Sequence, residues 1–267
     1  MTDARAIWND VERIRAERPL IHNITNYVVM NSTANALLAL GASPVMAHAA
    51  EEVEDMVRLA AALVLNIGTL SAPWIAAMRL AAAAARAKGI PIVLDPVGAG
   101  ATRFRTETAR ALLRDARPTI VRGNASEIRA LLDFEGATQG VDSRHSSEAA
   151  LDAARGLSAR YGTVVSVSGA IDFIIDGGQA LRLANGHPLM PRVTGLGCSA
   201  SALTGAFAAV NPVPLFAAAH AMAVMGIAGE MAAERSRGPA SLQTNFIDTL
   251  YELRQEDILE RLKLERA

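Results

Sequence analysis

Residues 73–100 read PWIAAMRLAAAAARAKGIPIVLDPVGAG. The segment divides into three parts by its chemistry. Pro73–Lys88 has a helical pattern, with Pro73 near its start and Gly89 just past its end, the positions where these two residues punctuate helices. Ile90–Leu94 is a short apolar run of strand character. Asp95-Pro96-Val97-Gly98-Ala99-Gly100 is a polar, glycine-rich turn. A helix, a buried strand and a turn in this order are one unit of an α/β fold.

The unit recurs outward in both directions. Apolar runs stand at Ser43–Ala47, Leu63–Ile67, Thr119–Val121 and Thr163–Val167. Helical patterns at Asn35–Leu40, Glu51–Ala61, Thr106–Arg114, Ala125–Leu132 and Ser147–Tyr161 alternate with them. Such alternation predicts an α/β fold with a central, mainly parallel sheet covered by helices on both faces. Phe173–Ile175 and Ala180–Leu183 flank Asp176-Gly177-Gly178 and read as a hairpin beside that sheet. From Cys198 onward the pattern is almost wholly helical. With no internal repeat and no flexible linker, residues 1–267 are expected to form one domain.

Composition narrows the function. The chain has 267 residues, is 51% hydrophobic and carries a net charge of −1. Its basic residues are scattered, which argues against nucleic acid and for a small-molecule partner. The single cysteine, Cys198, excludes an intrachain disulfide and fits a cytoplasmic setting. The first nineteen residues, MTDARAIWNDVERIRAERP, lack the apolar core of a signal segment. Leu215–Ala233 is apolar but mostly alanine, contains His220 and Glu230, and reads as a buried helix with no membrane role.

The turns after the apolar runs hold the candidate chemistry, because ligands of open parallel sheets bind beyond the carboxyl ends of the strands. These turns carry Asn66-Ile67-Gly68-Thr69, Asp95 to Gly100, Arg122-Gly123-Asn124 and Ser168-Gly169. Val193-Thr194-Gly195-Leu196-Gly197-Cys198-Ser199-Ala200 sets two glycines before a helix, an arrangement that gathers N–H groups for an anion such as phosphate. It is neither a Walker A loop, since no lysine follows, nor a dinucleotide fingerprint after a first strand. A helix N-terminus lowers a thiol pKa, so Cys198 is placed either to accept a proton or to line the pocket as a small filler. Asp95 and Glu127 are the acids best placed for magnesium, although Glu127 also fits capping of a helix begun by Asn124. Arg122 suits a nucleotide phosphate or a surface acid. His22-Asn23-Ile24-Thr25-Asn26-Tyr27-Val28-Val29-Met30-Asn31 suits a pocket for a polar heterocycle or a helix cap, and Met46 reads as core.

Together the segments PLIHNITNYVVMN, GASPVMAHAAEEVEDM, LVLNIGTLS, VLDPVGAGATRFRTE, IVRGNASEI, VSVSGAIDFI, NGHPLMPRVTGLGCSASALTGAF and GPASLQ, in this order, resemble the hydroxyethylthiazole kinase family of the ribokinase-like superfamily. The resemblance implies transfer of phosphate from ATP, with Mg²⁺, to the hydroxyl of 4-methyl-5-(2-hydroxyethyl)thiazole. It implies substrate contacts at Met46, Gly195 and Asn26, ATP contacts at Arg122, Ser168 and Asn124, and a metal site at Asp95 and Glu127. The Gly195, Gly197 and Cys198 nest would be catalytic, Cys198 standing where the wider superfamily has an aspartate base. It also implies a homotrimer with sites near subunit interfaces. Leu196 departs from the small residue expected there, and a positive φ at that position would strain it. Kinases of other small alcohols and a nucleotide-dependent dehydratase of hydrated nicotinamide cofactors are the rival activities.

Overall fold

A computed structural model describes residues 3–132 and 146–267. The chain runs through α1 (Ala4–Glu17), β1 (Leu20–Ile24), α2 (Met30–Leu40), β2 (Ser43–Val45), α3 (Val53–Leu59), β3 (Ala62–Asn66), α4 (Ala72–Lys88) and β4 (Ile92–Asp95). It continues with α5 (Arg103–Ala116), β5 (Ile120–Asn124), α6 (Ala125–Leu131), α7 (Ser146–Tyr161), β6 (Val164–Ser168), β7 (Asp172–Asp176) and β8 (Gln179–Leu183). The last third holds α8 (Leu196–Val210), α9 (Pro214–Glu234), α10 (Pro239–Glu252), α11 (Gln255–Arg261) and β9 (Leu264–Arg266).

The described strands form one nine-stranded sheet in the order β2-β1-β3-β4-β5-β6-β7-β8-β9. The β2 to β6 block is parallel, and β7, β8 and β9 are added antiparallel. Alternation along the strands builds two cores, because successive side chains leave opposite faces. Ile21, Val64, Val93, Ile120 and Val164 meet α1, α2, α8, α9 and α10 on one face. Ile24, Leu63, Leu65, Leu94, Val121 and Val165 meet α3 to α7 on the other. The mainly parallel sheet with helices on both faces is thus present.

Two strands and one helix lie outside the sequence reading. β1 is Leu20-Ile21-His22-Asn23-Ile24, and its two polar residues break the apolar run that would have marked it. Both are fully buried; His22 Nε2 lies 2.8 Å from the Ala47 carbonyl and Asn23 Nδ2 donates to Ile21. β9 is a short, mostly exposed edge. Helix α1 is capped by Asp3 and buries Ile7, Asp10, Val11 and Ile14 on a single stripe. The apolar helix α9 is long enough by composition to cross a membrane, yet Ala217, Ala221, Val224 and Ala228 are wholly buried within the protein.

Candidate active site

The turns that leave β3, β4, β5 and β6 open onto a cavity of about 1020 Å³, which also borders the start of α8. Of the residues singled out in the sequence, Asn26, Asp95, Arg122, Asn124, Glu127, Ser168, Gly195, Gly197 and Cys198 line it. Met46 does not. It follows the edge strand β2, is half-buried, and its carbonyl lies 3.1 Å from His48 Nδ1.

The first turn of α8 is built differently from those of α1, α4, α5 and α6. Asp3, Ser71, Thr102 and Asn124 each place a side-chain oxygen on an N–H of the helix that follows. The N-cap of α8 is Gly195, which has no such oxygen and takes φ +84°. Among the described residues, the N–H groups of Leu196, Gly197 and Cys198 therefore have no partner. They form an anion nest at the cavity wall, reinforced by the positive end of the helix dipole. The condition under which Leu196 would be strained is not met. The left-handed conformation falls on Gly195, and Leu196 is the first helical residue, 8% exposed against the core. Helix α8 thus begins two residues earlier than the Cys198 start expected from sequence.

Both glycines of the nest also sit close against their neighbours. A Cβ on Gly195 would lie 2.8 Å from Val29 Cγ1, and one on Gly197 would lie 3.0 Å from Arg122 Nη1. Arg122 is 9% exposed; Nη1 donates to the Gly197 carbonyl at 3.0 Å and Nη2 to Ser168 Oγ at 2.8 Å. Its Nε is buried with no partner among the described residues. Arg122 is therefore a cavity residue, and the reading of it as the partner of a surface acid falls away.

Asp95, at the carboxyl end of β4, is 1% exposed. Its Oδ2 accepts from Asn66 Nδ2 and from Ser201 Oγ, each at 2.7 Å, which leaves Oδ1 available for a cation or water. Burial pushes its pKa up to about 7, against the pull of Arg122 and of these hydrogen bonds. Glu127 holds main-chain N–H groups with both oxygens, Gly98 on Oε1 at 2.9 Å and Asn124 on Oε2 at 2.8 Å. The capping box weighed as an alternative for Glu127 is present.

Cys198 requires a correction. The helix N-terminus was expected to lower its pKa, but burial, followed by the nearby charge of Asp95, pushes the thiol up to about 11. Hydrogen bonds to Asn66 and Asn26 offset this only in part. Near neutral pH Cys198 is a protonated thiol, so it is not poised as a base.

Four residues that the sequence reading did not assign also shape the site. Asn66 and Ser201 bind Asp95 as above. Asp172, inside the hairpin, lines the cavity and accepts from Gly169 N–H at 2.9 Å; burial lifts its pKa to about 6. Arg105 on α5 donates Nη1 to the Ile67 and Val97 carbonyls and Nη2 to the Gly68 carbonyl, at 2.8–2.9 Å. Because Glu127 holds the Gly98 N–H, the Val97–Gly98 peptide is gripped at both its polar ends. Asn66 ends an apolar run and Ser201 lies one helical turn after Cys198, signals that were legible once the strand ends were known to converge.

The hydroxyethylthiazole kinase family profile matches residues 11–256. A hydroxyethylthiazole kinase of Syntrophus aciditrophicus is 64% identical over 258 residues, covering 96% of each chain. Another from Nitratidesulfovibrio vulgaris is 55% identical over 266 residues, 100% of each. The solved hydroxyethylthiazole kinase structure from Pyrococcus horikoshii superposes with a TM-score of 0.91 at 46% identity, covering 98% of this chain and 99% of that one. A pyridoxal kinase from Staphylococcus aureus, at 16% identity and TM-score 0.67 over 93% and 97%, shares the fold, which is ribokinase-like. The chain belongs to the hydroxyethylthiazole kinase family.

Proposed function

We propose that this protein transfers the terminal phosphoryl group of ATP to the hydroxyl of 4-methyl-5-(2-hydroxyethyl)thiazole, with Mg²⁺ as the accompanying ion. The observation that carries the reading is the glycine-capped first turn of α8, whose three free N–H groups share one cavity with Asp95 and Arg122. Phosphoryl transfer proceeds through a loose transition state, so a protein accelerates it mainly by positioning and by stabilising charge on the moving group. Preorganised N–H groups at a helix start supply that stabilisation. Arg122 and Ser168, bound to each other, and Asn124 beyond them form the ATP side of the cleft in this reading.

Mg²⁺, when bound, neutralises charge on the phosphate oxygens. The hard oxygen donors fit such an ion, which takes one or two carboxylates and keeps several waters. Asp95 would hold it through the untied Oδ1, and Glu127, with both oxygens on main-chain N–H groups, would contribute through water. A neutral Cys198 lines the alcohol side beside Asn26, whose Nδ2 lies 3.5 Å from its sulfur. Early deprotonation of the alcohol is not required when the transition state is loose, so the protonated thiol is compatible with turnover.

Met46 enters this reading only through a homotrimer. Strand β2 is half-buried along its length, and Tyr27 and Val28 near the strand ends are 66% and 65% exposed. A neighbouring subunit packed on this edge would close the alcohol pocket and bring Met46 to it. The test of the activity is ADP release from MgATP by purified protein with and without the thiazole alcohol, with the product identified by mass. Thiazole-dependent ADP and a phosphorylated alcohol are expected; ADP release that responds equally to pyridoxal or to no alcohol would overturn the reading.

A further inference from the structure

We propose that Asn66 is a positioning residue that joins the two halves of the reaction, holding the alcohol-side Asn26 and the acid Asp95 through one amide group. The inference rests on the roles given above to Asn26 and Asp95.

Strand β3 lies between β1 and β4, and its last residue, Asn66, is in register with Asp95. Asn26 follows the end of β1, on the other side. The Asn66 side chain thus projects where the two turns meet and is 2% exposed. Its Oδ1 accepts from Asn26 Nδ2 at 2.8 Å and from Gly68 N–H at 2.9 Å. Its Nδ2 donates to Asp95 Oδ2 at 2.7 Å. The amide orientation follows from chemistry, because the Gly68 N–H requires an acceptor and the Asp95 carboxylate requires a donor. Reversing the amide would set donor against donor and acceptor against acceptor.

No other short side chain satisfies both demands. Aspartate would place an acceptor against Asp95, and serine offers one oxygen where two separated atoms are used. The fit is tight as well: a Cβ on Gly68 would lie 2.4 Å from Asn26 Nδ2, so the turn after β3 presses Asn26 onto Asn66. Asn26 in turn donates to the Cys198 sulfur. One amide therefore fixes which Asp95 oxygen stays free and where the Asn26 amide stands beside the alcohol.

The test compares Asn66→Ala and the isosteric Asn66→Asp with Asn26→Ala, Asp95→Asn and the Asn26→Ala/Asn66→Ala double variant. Steady-state kinetics are paired with calorimetric binding of the thiazole alcohol and with melting curves. Both Asn66 variants should lower kcat at least tenfold and raise the alcohol KM and dissociation constant severalfold, leaving the ATP KM within about threefold. The double variant should bind the alcohol almost as Asn66→Ala does, because Asn26 has already lost its anchor. Should Asn66→Ala fail to fold, the Asn66→Asp measurements decide alone. A role confined to stability would lower Tm while leaving both KM values and alcohol binding unchanged, and that result overturns the proposal, as would additive losses in the double variant. Wild-type kinetics in Asn26→Ala or Asp95→Asn would instead refute the roles on which the inference rests.

Discussion

Asp95 is placed where a carboxylate is costly to ionise, and the cost has a measurable signature. Its folded pKa, raised to about 7 by burial, lies above the value near 4 of an unfolded chain. The folded state therefore holds this proton more tightly than the unfolded state does. The stability so gained is complete below about pH 4 and is lost as pH rises through 7. Asn at this position would keep an acceptor for Asn66 and Ser201 while removing the charge. Asp95→Asn, without nucleotide or metal, is expected to melt roughly 8 °C or more above wild type at pH 8, since a pKa raised from about 4 to about 7 is worth about 4 kcal/mol and each kcal/mol about 2–4 °C in a chain of this size. The gain should vanish near pH 4 and the kinase activity should be lost at every pH; equal melting at pH 8 would show that the buried charge is already compensated. Cys198 makes the converse case. With its thiol near 11, iodoacetamide should modify it at pH 7.5 far more slowly than it does free cysteine, and Cys198→Ser should keep turnover within about tenfold. Fast alkylation at pH 7.5 would return Cys198 to the list of bases. Motif and turn chemistry marked both residues in the sequence, but burial set the direction of their pKa shifts, and burial is a property of the folded chain.

At the scale of the element, α8 leaves its first turn uncapped, and the proposed function uses the N–H groups this frees. A serine or aspartate at its N-cap would occupy one of the three N–H groups that the nest presents. Gly195→Ala tests the arrangement, since it adds a Cβ 2.8 Å from Val29 Cγ1 at φ +84°. A loss of about 1–3 kcal/mol in stability is expected from the strained backbone, together with a fall in kcat larger than the change in ATP KM. Unchanged kcat in a folded Gly195→Ala protein would remove the nest from the mechanism. Arg105 has a related task one layer back, bracing the turns after β3 and β4 by their carbonyls. The glycine pair of α8 and the turns after β3 to β6 were legible because glycine marks each of them in the sequence, and at Gly98, Gly100 and Gly195 the backbone uses its freedom to take a positive φ. Strand β1 was not, because its His22 and Asn23 are polar residues that the fold buries, His22 with one ring nitrogen near the Ala47 carbonyl and Asn23 with its amide N–H on Ile21. Arg105 was hidden for the same reason: its three acceptors are main-chain atoms, which leave no mark in side-chain composition.

At the scale of the whole molecule, an open sheet has two edges, and this chain treats them differently. The β8 edge is covered by β9, drawn from the C-terminal segment. The β2 edge is three residues long, half-buried on both faces and covered by no further described strand. Uncovered edges invite pairing or packing with another chain. Tyr27, Val28, Leu38 and Leu59, all more than half exposed, add apolar surface outside the two cores. A trimer that buries part of this region would explain why Met46 stands outside a cavity that holds the other residues to which the resemblance gave a role. Light scattering of the intact protein should then give three times the mass of one chain at micromolar concentration. Val45→Asp, which charges the β2 edge, should dissociate it. The kinetic consequence is specific, because the part of the cleft assigned to ATP in the proposed function is lined by α8 and the ends of β5 and β6 of one chain. The dissociated variant should bind ATP with little change and lose affinity for the thiazole alcohol tenfold or more. A Val45→Asp monomer with an unchanged alcohol KM would show that one subunit makes the whole site, and Met46 would then be a packing residue of the β2 edge.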